Sequence, residues 1–147
     1  VQWSARFGGD GSEFLNDFLE TDDGGFLLLG RTESFGIGGS DLWLMKVTDE
    51  GELVWEKTYD GGGDYDWGSS MVRSQEGGFI LLGGTYSKGS GDSDLWLLGV
   101  DSSGRVMWDT TFGGPYDEIP SVIKASASGE LYIAGYTGSY GAGSWDA

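Results

Sequence analysis

The chain has 147 residues, enough for one domain of ordinary size, and carries 24 Asp plus Glu against 8 Lys plus Arg, a net charge of −16. That balance argues against a protein that tracks nucleic-acid phosphates or docks on an anionic membrane surface. With no Cys and no His, disulfides, thiolate or imidazole metal sites and Ser-His-Asp or Cys-His catalysis are excluded. Glycine, at 29 residues, is far above the usual level of about 7%. The 7 Phe, 7 Trp and 7 Tyr are too many aromatics for a disordered linker. No apolar run approaches the roughly 18 residues of a membrane helix, and VQWSARFGGD has no leader-like apolar stretch.

Along the chain the same landmarks return at one period. Trp3, Trp55 and Trp108 are spaced by 52 and 53 residues, and Asp-Leu-Trp-Leu at 41–44 returns at 94–97. Gly24-Gly25-Phe26 returns as Gly77-Gly78-Phe79, and more loosely as Gly129-Glu130-Leu131. Phe7-Gly8-Gly9 is answered by Phe112-Gly113-Gly114, and Gly30-Arg31-Thr32 by Gly84-Thr85 and Gly135-Tyr136-Thr137. A fixed period of this length marks a repeat architecture. Within each period, apolar runs of strand length are cut by Gly, Asp and Ser turns, with no helical periodicity. Strands are expected at Phe26–Gly30, Leu42–Val47, Leu53–Tyr59, Phe79–Gly83, Leu95–Val100, Val106–Phe112 and Leu131–Gly135. A further run covers Ser69–Arg73, for about eleven antiparallel strands in all and no helix longer than a turn. The turns Ser74–Gly78 and Asp101–Gly104 have glycine placed for a positive φ.

The pattern F-G-G…D-G-G-F-x-L-x-G-x-T…D-x-W-L-x-x-V-D-x-x-G-x-x-x-W resembles the glycine-rich β-propeller repeats of prokaryotic cell-surface and secreted proteins, over essentially the whole chain. The resemblance implies an all-β fold of four-stranded antiparallel blades, about three repeats per chain, in a ring of six to eight. It also implies that Ser69–Arg73 is innermost in its blade and Val106–Phe112 outermost. The frame is then an outer strand at 1–7, blade 1 at 8–59, blade 2 at 60–112 and an incomplete blade 3 at 113–147. About ten residues equivalent to Trp43–Glu52 are missing from the last blade. The Val100-Asp101…Gly104…Trp108 segment is similar to the element of quinoprotein propellers in which a Trp docks on the next blade. No counterpart of their cofactor site is present, and no cofactor is expected. The spacing of Asp49, Gly51 and Trp55 is wrong for a sialidase Asp-box.

Candidate site residues lie in the loops sharing one end of the blades. Phe35, Tyr86 and Tyr140 tip the loops between second and third strands, where aromatics beside carboxylates suit a sugar ring; the simpler expectation is that they pack loop on loop. Asp41, Asp94 and Asp146 precede the third strands and are ligand-contact candidates on the same face; the simpler expectation is that they hold each blade together. Asp60, Asp64 and Asp66 in DGGGDYDWG offer oxygens to a hard cation, but the spacing is not that of an EF-hand. They read as turn caps, so no metal site is expected; if there is one, these three are its ligands. Trp3, Trp55 and Trp108 are expected to be buried between blades with their indole N–H on backbone carbonyls. Lys46 and Arg73 are expected to pair with nearby acids.

No unrepeated polar cluster marks an active site. The expected function is a non-catalytic interaction or scaffold module, extracellular or at the cell surface. Its partner is a second copy, giving a six-bladed homodimer, or the rest of a longer parent chain. The alternative is a glycan-binding lectin; a fragment of a propeller hydrolase or lyase ranks third.

Overall fold

A computed structural model of the chain describes residues 3–142 and 144–147. It is all-β, with ten antiparallel strands: β1 (Glu13–Glu20), β2 (Phe26–Thr32), β3 (Asp41–Val47), β4 (Leu53–Tyr59), β5 (Asp66–Arg73), β6 (Phe79–Thr85), β7 (Asp94–Val100), β8 (Val106–Phe112), β9 (Glu118–Ala125) and β10 (Leu131–Thr137). They form a first sheet ordered β1-β2-β3-β4, a second ordered β5-β6-β7-β8, and a hairpin of β9 and β10. All seven expected ranges fall within strands, and the Ser69–Arg73 run lies within β5.

The registers of the two sheets correspond pair for pair. Phe26 faces Val47 as Phe79 faces Val100, and Thr32 faces Asp41 as Thr85 faces Asp94. The turn after β7 shows how sequence sets such a register. Asp101 Oδ1 accepts the N–H of Ser103 (2.9 Å) and of Arg105 (3.0 Å), the aspartate turn that short acidic side chains favour. Gly104 closes it at φ 76°, where a β-carbon is disfavoured.

Each first strand carries a bulge: the register slips between Leu15 and Asp17, between Gly68 and Ser70, and between Gly135 and Ala134 on the hairpin. A glycine sits opposite or beside each slip. A β-carbon at Gly30, Gly83 or Gly135 would lie 1.8, 2.3 or 2.4 Å from the carbonyl oxygen of Phe14, Trp67 or Ile119. These are the glycines of the recurring Gly-x-Thr landmark, and a close main-chain approach is what the position demands.

The core forms between the sheets, because the middle strands have both faces covered. β3 and β6 are buried at every position, which is why they read as continuous apolar runs. Leu27, Leu29, Leu42, Leu44, Leu81 and Leu98 pack between the two sheets, and Ile80, Leu82, Leu97 and Ile123 between the second sheet and the hairpin. Polar side chains join the inner strands where no main-chain ladder runs. Asp17 Oδ2 accepts the Met71 N–H (2.8 Å) and the Ser70 hydroxyl (3.1 Å), and the Asn16 amide donates to the Gly68 carbonyl (2.7 Å).

Three expectations are corrected. No strand forms over residues 3–7, and Val1 and Gln2 lie outside the described residues. An outermost strand pairs only with the third strand of its own sheet, as β4 does with β3, and among the described residues no such strand lies beside residues 3–7. Among the described residues the strand count is accordingly ten. The tryptophans buried deepest are Trp43 (1% exposed) and Trp96 (2%), not Trp3 (39%) or Trp108 (44%). Trp55 is partly buried against the core. Trp43 and Trp96 stand on third strands covered on both faces. Trp108 stands on an outer strand, and only a neighbouring sheet can cover it. Lys46 and Arg73 pair with Asp23 (2.8 Å) and Asp22 (2.9 Å) as expected.

Candidate functional site

The loops 33–40, 86–93 and 138–142 come together with the connections 60–65 and 113–117 through main-chain and side-chain bonds. The Gly39 and Ser40 N–H groups donate to the Asp64 carbonyl (3.2 and 3.4 Å), and the Asp66 N–H to the Ser40 carbonyl (2.7 Å). At the next junction the Glu118 N–H donates to the Ser93 carbonyl (2.7 Å), and the Ser93 hydroxyl to Asp117 Oδ1 (2.7 Å).

The loop aromatics pack on their neighbours. Phe35 leans on Trp43, ring centroids 6.0 Å apart. Tyr86 completes a cluster with Tyr65 (6.5 Å) and Trp67 (6.0 Å), and the Arg31 guanidinium lies 5.0 Å from the Tyr65 ring centre. Tyr140 donates its hydroxyl to the Gly113 carbonyl (3.2 Å). All three loop-tip rings keep an exposed face.

The repeated aspartates hold their loops. Asp94 Oδ2 accepts the Ser90 N–H (2.7 Å), the Ile37 N–H lies near enough to favour the Asp41 charge, and the Asp146 main chain exchanges bonds with Thr137 (2.8 and 3.0 Å). A second set of repeated acids is Glu13, Asp66 and Glu118, each the first residue of an inner strand; of these the sequence pattern singled out Asp66 alone. Glu118 Oε2 accepts the Gly114 N–H (2.7 Å) and Oε1 the Thr137 hydroxyl (3.0 Å). Glu13 accepts the hydroxyls of Thr32 (3.1 Å) and Ser34, and Asp66 Oδ2 accepts the Gly61 N–H (2.8 Å). The signal was an acid at one register position in all three copies.

Of Asp60, Asp64 and Asp66, the structure brings together only Asp60 and Asp66, and adds Asp41. One carboxylate oxygen from each of Asp41, Asp60 and Asp66 lies within 4.8 Å of the others, while Asp64 is outside the group. Asp60 Oδ1 also caps its turn, accepting the Gly62 and Gly63 N–H groups at 2.6 Å each. Burial, reinforced by the negative charges of Asp60 and Asp66, pushes the Asp41 carboxyl up to about 6. Burial raises Asp66 as well, against the pull of Thr85, Gly61 and Ser87.

No family model matches the chain, and no match is found among curated proteins. The chemistry of the site therefore rests on the geometry above.

Proposed function

We propose that the chain is a non-catalytic β-propeller interaction module, extracellular or at the cell surface, whose two sheets and hairpin are blades that assemble through their end faces. The observation that carries this reading is a repeated contact left open at one end. Trp3 packs on Gly51, where a β-carbon would lie 2.5 Å from the ring. Trp55 packs in the same way on Gly104 of the next sheet, where a β-carbon would lie 2.9 Å away. Among the described residues no such turn lies against Trp108, which is 44% exposed and lines an open cleft with Arg73, Gln75 and Leu131. The other end is also apolar and open: Leu15 and Phe18 on β1 are exposed beside Leu28.

An uncovered apolar sheet face recruits a partner. The outer edge of β10, engaged by an isolated bridge between Thr137 and Asp146, offers main-chain groups to an added strand. Two copies joined head to tail satisfy both ends, and closure requires that the rotation per chain divide a full turn. A six-bladed ring of two chains meets that condition. The other partner chemistry is further blades of a longer parent chain. Light scattering tests the self-assembly reading. A mass of twice 15.7 kDa is expected, reduced to the single chain by Trp108→Asp. A folded, monodisperse monomer at tens of micromolar refutes it.

A lectin is the second reading, favoured by the exposed rings of Tyr86 and Tyr140 beside carboxylates. Glycan-array binding lost on Tyr86→Ala would support it.

A further inference from the structure

We propose that Asp41, Asp60 and Asp66 bind one calcium ion that staples the first sheet to the second. The three carboxylates come from two segments already joined by main chain. Asp41 ends the loop from β2, and Asp60 and Asp66 flank the connection from β4 to β5. Their oxygens lie within 4.8 Å of one another, a spread that one ion with oxygen ligands at about 2.3–2.6 Å can span. Asp41 and Asp66 are almost fully buried, at 2% and 0% exposure.

Two buried oxygens point to a missing ligand: Asp41 Oδ1 and Asp66 Oδ1 have no hydrogen-bond partner. The Thr85 hydroxyl lies near enough to act on the Asp66 charge but makes no bond of normal geometry to Oδ1. Buried carboxylate oxygens normally find a donor or a cation. None of the ion pairs among the described residues involves Asp41, Asp60 or Asp66. The orientation of Asp41 is consistent with a role facing Asp60. Its Oδ2 is turned to the loop, where a β-carbon at Gly36 would lie 2.1 Å from it. At the corresponding Asp94, Oδ2 faces Gly89 in the same way, while Oδ1 faces Gly113, the counterpart of Asp60.

The second junction serves as an internal control. Its corresponding residues are Asp94, Gly113 and Glu118, so the middle carboxylate is lost. A β-carbon at Gly113 would lie only 1.5 Å from Asp94 Oδ1 and 2.5 Å from Glu118 Oε2, so no larger residue fits there. Glu118 uses both oxygens on Gly114 and Thr137, and Asp94 is not among the orphaned groups. The same fold position is thus hydrogen-bonded at one junction and left with orphaned oxygens at the other. The site does not depend on how the chain assembles.

The test uses the full chain, stripped of metal with EDTA and exchanged into chelator-free buffer at constant ionic strength. Calorimetric titration with CaCl2 should give one site per chain. Calcium at about a hundredfold over Kd should raise Tm by about 5–10 °C, and MgCl2 at equal concentration should raise it less. Asp60→Asn keeps an oxygen for the Gly62 and Gly63 N–H groups but removes a charge, and should weaken calcium binding at least tenfold. Asp60→Gly installs the residue native to the second junction and should abolish binding with the fold intact by circular dichroism. Asp64→Asn should leave the calcium response unchanged. No calcium-dependent rise in the native chain overturns the proposal. So does a rise that persists in Asp60→Gly or is equalled by magnesium, which would reflect screening of surface charge. Loss of the response in Asp64→Asn would move the ion to the loop tip and equally defeat the site.

Discussion

Replacing Gly83 with Ala tests the account of the bulges most directly. Gly83 is on β6, buried, opposite the slip in β5 between Gly68 and Ser70. Its new methyl would lie 2.3 Å from the Trp67 carbonyl oxygen and 2.8 Å from Leu42 Cδ1, well inside van der Waals contact. The leucine can rotate away, but the carbonyl cannot move without disturbing the β5–β6 ladder. Overpacking of this kind costs about 1–3 kcal/mol. A domain of this size loses about 2–4 °C of Tm per kcal/mol, so a fall of about 2–12 °C is expected in thermal unfolding followed by tryptophan near-UV signal. Gly39→Ala is the comparison, since a β-carbon there meets nothing closer than 3.6 Å and Gly39 is not among the positive-φ residues. If Gly83→Ala melts within a degree of Gly39→Ala, the bulges do not require glycine and the explanation of the recurring Gly-x-Thr fails.

Two further outcomes follow from the junction between the sheets and its charges. Tyr59→Phe removes the buried hydroxyl that donates to the Gly104 carbonyl at 2.6 Å and should cost about 1–2 kcal/mol by urea unfolding; Tyr116→Phe, on an exposed side chain, should cost nothing measurable. In metal-free protein, stability should fall as pH rises from 3.8 through about 6. Burial and the neighbouring Asp60 and Asp66 charges hold Asp41 up at about 6 against an ordinary 3.8, so the folded state keeps a proton the unfolded state has already lost. Its contribution is present in full below 3.8 and lost through about 6. Asp41→Asn should flatten that slope in a pH series of melting curves, and an unchanged slope would remove Asp41 as its cause.

Strands were the most legible part of the sequence, because apolar runs between Gly and Asp turns are a local signal. The inner strands were less so. Glu13–Glu20 mixes acids with Phe and Leu, since side chains such as Asp17 serve the neighbouring sheet's backbone instead of solvent. The choice of buried tryptophan went astray for a similar reason. Trp55 and Trp108 stood out by their regular spacing, but outer-strand burial depends on what the next sheet supplies. Trp43 and Trp96, inside continuous apolar runs, carried the stronger sign of burial on both faces. At the loop end, the Asp60 and Asp66 pair was visible as a local cluster. Asp41 was read as a repeated structural residue and a ligand-contact candidate but not as their partner, because its meeting with them depends on main-chain bonds between distant segments.

Among the described residues every ladder joins strands that are consecutive in the chain, and the sheets meet one another through side chains and a few main-chain bonds at the loop end. Such topology keeps the pairing contacts short in sequence, the condition under which chains fold quickly. During synthesis, β1 to β4 can zip into a finished sheet while β5 is still unmade, and each later sheet is cast against the one before it. The order in which residues leave the ribosome is then also the order of assembly.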